Sequence, residues 1–316
     1  MKFRWLLNTS LKTVWEHKTI WLFGILISLL NGAFRINYTL DERQIMASID
    51  RAELTLSRLS GLQLLAIVFL FTGIVLAIIF ASFVLRGSVI DLVRTVNEGG
   101  EPRARHSLSV GIRKGLPMLG KSILLWVPFY LLIALIGYAI VVLFVGAFTG
   151  GQNPSNGTIA LLVTVMTVTT ALSITAGVIV AITNRFADRF IIIEGERVFA
   201  ALGRAAAMLR RYLGFSFLAW LVMFGLTAAF LMVFGAYSVA VVALTIAVGH
   251  ESTLLVLMGT MLAGLLILIL AGLFEALGGS FWTYFFIFLR DGGAGGQQSE
   301  KITGRGTIRP VPNEEF

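Results

Sequence analysis

From Ser122 to Asn184 the chain carries no charged residue at all. A run of that length cannot be the buried core of one soluble element. It is longer than two bilayer crossings of about 20 residues each, and in lipid only closed helices or barrels satisfy their own backbone groups. The string GGQNPSNG, Gly150 to Gly157, breaks the run with turn-forming residues and divides it into two helices.

The rest of the 316 residues follows the same plan. Thr19–Phe34 is uncharged but short, about 24 Å as a helix. Leu59–Leu85 is uncharged and long enough to cross with tilt. Tyr212–Gly249 and Thr253–Leu289 form a last pair around the turn His250–Ser252. Only 13% of residues are charged, against about 25% in soluble domains. The expected fold is all-α: an integral membrane bundle of six transmembrane helices in three hairpins, each preceded by a cytoplasmic amphipathic helix. Residues 1–18 form the first amphipathic helix, 19–290 the membrane domain and 291–316 a disordered cytoplasmic tail, Gly-rich and without apolar periodicity.

Lys and Arg set the orientation. Four lie in residues 1–18, seven in 86–121, six in 185–211 and four from Arg290 onward. The connections on the other side carry four, balanced by acids, or none. The positive-inside rule then puts both termini in the cytoplasm and the chain in a bacterial inner membrane. The net charge of +8 is explained by this placement, and no nucleic-acid partner is expected. No secretory signal peptide is visible.

Basic pairs precede the odd-numbered spans at His17-Lys18, Arg113-Lys114 and Arg210-Arg211, spaced by about 97 residues, as three repeated units would be. Along Arg197–Leu213, Val198, Leu202, Leu209 and Tyr212 recur at helical spacing with Ala205 between them. Arg197, Arg204 and Arg211 follow every seven residues at the edge of that face. Such a helix either lies in the membrane interface with its arginines on lipid phosphates, or packs under the bundle as an elbow. Arg113, Lys114, Arg197, Arg204, Arg210 and Arg211 are the expected contacts for anionic headgroups or membrane-protein partners. Trp5, Trp15 and Trp21 suit interfacial anchors.

Catalytic chemistry is poorly supplied. Cysteine is absent, and His17, His106 and His250 lie far apart, so neither metal nor cofactor is expected. GLPMLGKS, Gly115 to Ser122, matches the phosphate-loop pattern but lacks the preceding strand that the loop needs. Asp188, Glu194 and Glu196 stand among six arginines, which are expected to neutralise them. Glu275 is the one acid well inside a span. Intramembrane acids cost about 2.5–3.5 kcal/mol on insertion scales and face the bundle interior. Its expected role is a structural pairing with Arg86 or Arg185, and the repeat spacing puts it about one and a half turns deeper than Arg86. Small residues recur every four positions at Gly73, Ala77 and Ala81 and at Gly272, Ala276 and Ser280, marking two helix contacts.

The strings DRFIIIEGERVFAALGRAAAMLRR, Asp188–Arg211, and WEHKTIWLFGIL, Trp15–Leu26, resemble a group of bacterial membrane proteins that includes the membrane domain attached to some glycerophosphodiester phosphodiesterases. The resemblance implies a six-helix module without the catalytic domain of those fusions. The functional expectation is a non-enzymatic membrane module. A small-solute or ion transporter using Glu275 as a proton or cation site is the alternative.

Overall fold

The computed structural model describes residues 3–32, 60–149, 155–248 and 253–292. All regular structure among them is helical, in eight helices: α1 (Phe3–Glu16), α2 (Lys18–Gly32), α3 (Gly61–Asn97), α4 (Ala104–Thr149), α5 (Asn156–Ile193), α6 (Val198–Arg211), α7 (Leu213–Val248) and α8 (Thr253–Arg290). Of these, α3, α4, α5, α7 and α8 are long and apolar enough to cross a membrane, which makes the chain a multi-pass helical membrane protein. The first expected span is the 15-residue α2. Ala33 and Phe34, which end that expected span, lie outside the described residues. The expected disordered tail, the 35–58 connection and the His250–Ser252 turn lie outside the described residues.

The long helices overrun any bilayer. At 46 residues α4 reaches about 69 Å, more than twice the hydrocarbon thickness. The excess lies at the end rich in Lys and Arg, here called the basic end. There the helices pack as in a soluble protein. Val84 to Val93 of α3, Phe186 to Ile193 of α5 and Phe281 to Leu289 of α8 supply most of the buried apolar residues. Toward the opposite end Leu65, Phe69, Leu131, Leu135, Leu161 and Val163 are exposed, as lipid-facing residues are. The difference has a physical cause: water drives apolar surface together, whereas lipid tails do not.

Aromatic rings fill the core at the basic end. Phe186 stacks on Phe285 at 6.1 Å, and Phe190 meets Phe286 edge-on at 4.9 Å. Across the same end lies α1, with Leu6, Ser10, Thr13 and Val14 turned inward. The hydroxyls of Thr13 and Tyr284 bond at 2.7 Å. Trp5 and Trp15 remain exposed, while Trp21 is half-buried and donates to the Val14 carbonyl.

Two expectations change here. The segment before the third span is not a separate amphipathic helix. It continues without interruption through Pro117 and Pro128 in α4. Contacts with α3 on the basic side of Pro117 hold it in line: Gly111 abuts the Val84 carbonyl and Ser88, and Gly115 abuts Val84 and Phe80. In addition, the first two residues of the Gly73 stripe mark no helix contact, since nothing lies near Gly73 and Ala77 is exposed, while Ala81 is half-buried. The close approach of α3 is at Gly87, against Ile192, Met118 and Gly111, because the packing is at the basic end.

The α8 stripe does pack. A side chain at Gly272 would come within 2.5 Å of the Ile25 backbone in α2, and Ala276 and Ser280 are fully buried. Gly272→Val is therefore expected to destabilise by about 1–3 kcal/mol, as overpacking does. Gly137→Val, in open surroundings, should leave the melting temperature of the purified protein unchanged. Equal melting of both variants would refute the α2–α8 contact.

Candidate functional site

The first charge at the basic side of each apolar run is Arg86 on α3, Lys121 on α4 and Arg185 on α5. Their relative heights follow from the contacts between helices. Lys121 bonds Asp188 and Lys114 bonds the Gly195 carbonyl, so α4 and α5 are antiparallel. Gly111 and Gly115 meet Val84, Ser88 and Phe80 in descending order, so α4 is antiparallel to α3 as well. Hence α3 and α5 run parallel. Arg94 donates to the Ile193 carbonyl at 3.3 Å. Arg86 and Arg185 each lie eight residues before that contact and share one level. Arg189 donates to the Gly279 carbonyl of α8 at 3.2 Å. Arg185 and Glu275 each lie four residues before it.

Glu275 therefore stands level with Arg86, not one and a half turns deeper. Gly279 sits beside Val89, whereas the repeat spacing carried twice from Val89 points to Thr283. The third unit is shifted by about one helical turn relative to the repeat.

Lys121 is the most buried cation, with no exposed surface. Its ammonium has three donors, and the structure supplies three acceptors. They are Asp188 Oδ1 at 2.6 Å, Asn184 Oδ1 at 2.5 Å and the Asn184 carbonyl at 3.1 Å. Ser122 Oγ adds a 3.3 Å bond to Asn184 Oδ1. The two residues that completed the phosphate-loop pattern are thus engaged by α5 from within an unbroken helix, and that pattern is no loop. Asp188 pairs directly with Lys121 and also lies within electrostatic reach of Arg185 and Arg189.

Arg189 is buried too, 1% exposed. Its Nη1 donates to the Arg185 carbonyl at 2.8 Å and its Nη2 to Gly279, while Nε has no partner. Arg86, Arg185 and Glu275 are half-buried. Arg185 lies within electrostatic reach of Arg86, Glu275 and Asp188. The expected company of Glu275 with Arg86 and Arg185 is therefore present as a shared level, without a direct ion pair among the described residues.

The six basic residues expected at the surface divide into two groups. Arg204 pairs with Glu194 at 2.6 Å and Glu196 at 2.5 Å and covers the Phe190 ring at 4.8 Å. The hydrogen bond to Glu196 pushes its guanidinium pKa above the ordinary value. It clamps the turn at Gly195, whose φ of 73° suits glycine. Lys114 reaches the same turn through the Gly195 carbonyl at 3.4 Å. Arg113, Arg197, Arg210 and Arg211 are exposed and have no carboxylate in contact among the described residues.

The apolar face of α6 turns inward: Ala201, Ala205 and Leu209 are buried, and Leu202 and Tyr212 pack partly against the core. It serves as the elbow, and lipid does not cover it. The outward face presents Phe199, 77% exposed, and a shallow groove lined by Gly203, Ala206, Ala207, Arg210 and Arg211. Among the described residues no cluster of three metal-ligating side chains occurs. No protein-family model matches the chain, and neither a curated protein nor a solved structure matches it.

Asp188→Asn would leave the Lys121 ammonium buried without its counter-charge. Breaking a buried pair from one side costs about 3–5 kcal/mol, so the melting temperature should fall by several degrees. Replacing both partners, Lys121→Met with Asp188→Leu, should restore most of it. Full stability of Asp188→Asn alone would show the ammonium to be hydrated.

Proposed function

We propose that this chain is a non-enzymatic module of the bacterial cytoplasmic membrane, with six spans and both termini in the cytoplasm, that engages anionic lipid headgroups at its basic end. The observation that carries the reading is the division among its arginines. Arg204 is satisfied by two acids. Arg113, Arg197, Arg210 and Arg211 point outward without one. Phe199 stands on the same outward surface of α6, suited to dip into the interface while the arginines reach phosphates. Membrane-protein partners with acidic surfaces would meet the same residues. The sequence resemblance to a membrane domain found beside phosphodiesterases agrees with a non-catalytic role. A transport role for Glu275 has in its favour that this acid has no direct ion pair among the described residues.

The headgroup reading is tested by reconstituting the full chain in mixed phosphatidylglycerol and phosphatidylcholine and measuring which lipid is enriched around it. Enrichment of phosphatidylglycerol should weaken with added salt. It should fall several-fold in Arg197→Gln/Arg210→Gln/Arg211→Gln, at ~1 kcal/mol per basic residue near the surface. The same enrichment in wild type and variant would contradict the reading.

A further inference from the structure

Among the described residues, three guanidiniums stand at the basic boundary of the apolar runs without a carboxylate in contact: Arg86, Arg185 and Arg189. Arg86 and Arg189 each keep a buried Nε with no partner. Two acids nearby are otherwise placed. Asp188 is held by Lys121. Asp91, buried with Oδ2 unpartnered, lies five residues beyond Arg86 on α3. Glu275 is the acid on the level of Arg86 and Arg185.

Like charges side by side at the edge of a low-dielectric region are unfavourable unless compensated, and unmet buried donors add to the cost. Counted with Lys121 and the two buried aspartates, four cations face the three carboxylates of Glu275, Asp91 and Asp188, which leaves the level positive by one charge. An oxyanion with several oxygens between the arginines would balance the charge and accept the free donors. Phosphate geometry suits the guanidinium fork best. The level is also the basic end of the uncharged runs of α3 and α5, the height a lipid phosphate would reach if those runs fill the hydrocarbon core.

We propose that Arg86 and Arg185 hold a phosphate-type anion at the basic membrane boundary, between α3 and α5, with Arg189 behind them and Glu275 on α8 as the competing acid. The anion is either the phosphodiester of a lipid headgroup or free inorganic phosphate. This site is separate from the exposed arginines of α6.

The test uses the full chain in an uncharged detergent, with thermal unfolding followed by tryptophan fluorescence. One arm adds sodium phosphate against sodium chloride at equal ionic strength. The other adds phosphatidylglycerol against phosphatidylcholine. A saturable rise in melting temperature is expected in at least one arm; a rise with inorganic phosphate identifies a free-anion site, and a rise with phosphatidylglycerol alone a headgroup site. Half-saturation should move at least tenfold higher in Arg86→Gln/Arg185→Gln and be unchanged in Arg103→Gln/Arg105→Gln, two exposed cations outside both proposed sites, which separates binding at this level from a general loss of positive charge. Glu275→Gln should tighten binding several-fold. No rise in either arm, or an equal response in Arg86→Gln/Arg185→Gln, would overturn the proposal.

Discussion

A lysine ammonium with no access to water fixes how these helices can sit. Lys121 must satisfy three donors and one charge inside the bundle, and α5 supplies everything it needs from Asn184 and Asp188. Any slide of α4 along α5 would strand the charge, so the register of this hairpin is set by one side chain. Glycines then allow the neighbours to close on it. Gly111 and Gly115 bring α4 onto α3, and Gly24 and Gly272 bring α2 onto α8. Arg94 and Arg189 tie α3 and α8 to α5 through backbone carbonyls. Carbonyl acceptors carry no counter-charge, so these two arginines are held in place without being neutralised by the bond.

The molecule is thereby divided by solvent. Past the charged level the helix ends exclude water and pack around Phe186, Phe285 and Phe286. On the other side the same helices present Leu and Phe outward, since in lipid helix contact has no hydrophobic driving force. The elbow helix α6 belongs to the first region. Its alanines seat it on the core, Arg204 closes the turn before it, and the remaining arginines are left facing out. The headgroup surface and the anion level that we propose would both lie at this end of the bundle, built from different residues.

Much of this is legible in the residues. The uncharged runs locate five helices long enough to cross, the string GGQNPSNG falls where α4 and α5 are separated, and Glu275 shares a level with Arg86 and Arg185 without the expected direct pair among the described residues. The Lys121–Asp188 pair was hidden by the phosphate-loop pattern around Lys121. A signal for it exists: the two residues stand at equal sequence distances on either side of the Pro154-Ser155 step, and in an antiparallel hairpin such residues face one another. The continuity of α4 could not be read from the Gly-Leu-Pro step, because it depends on Gly111 and Gly115 meeting α3. The depth of Glu275 was misjudged for a similar reason. Repeat spacing assumes equal units, and tertiary packing at Gly279 shifts the last unit by about one turn.

That shift offers the most direct test of the helix arrangement. The chain has no cysteine, so introduced pairs report cleanly. A Cβ at Gly279 would lie 4.0 Å from that of Val89, within the range of about 3.5–4.5 Å that a disulfide requires. Val89→Cys/Gly279→Cys should therefore cross-link efficiently in isolated membranes under mild oxidation, and Val89→Cys/Thr283→Cys should not. Cross-linking of the second pair in place of the first would restore the repeat register and contradict the shared level of Arg86, Arg185 and Glu275.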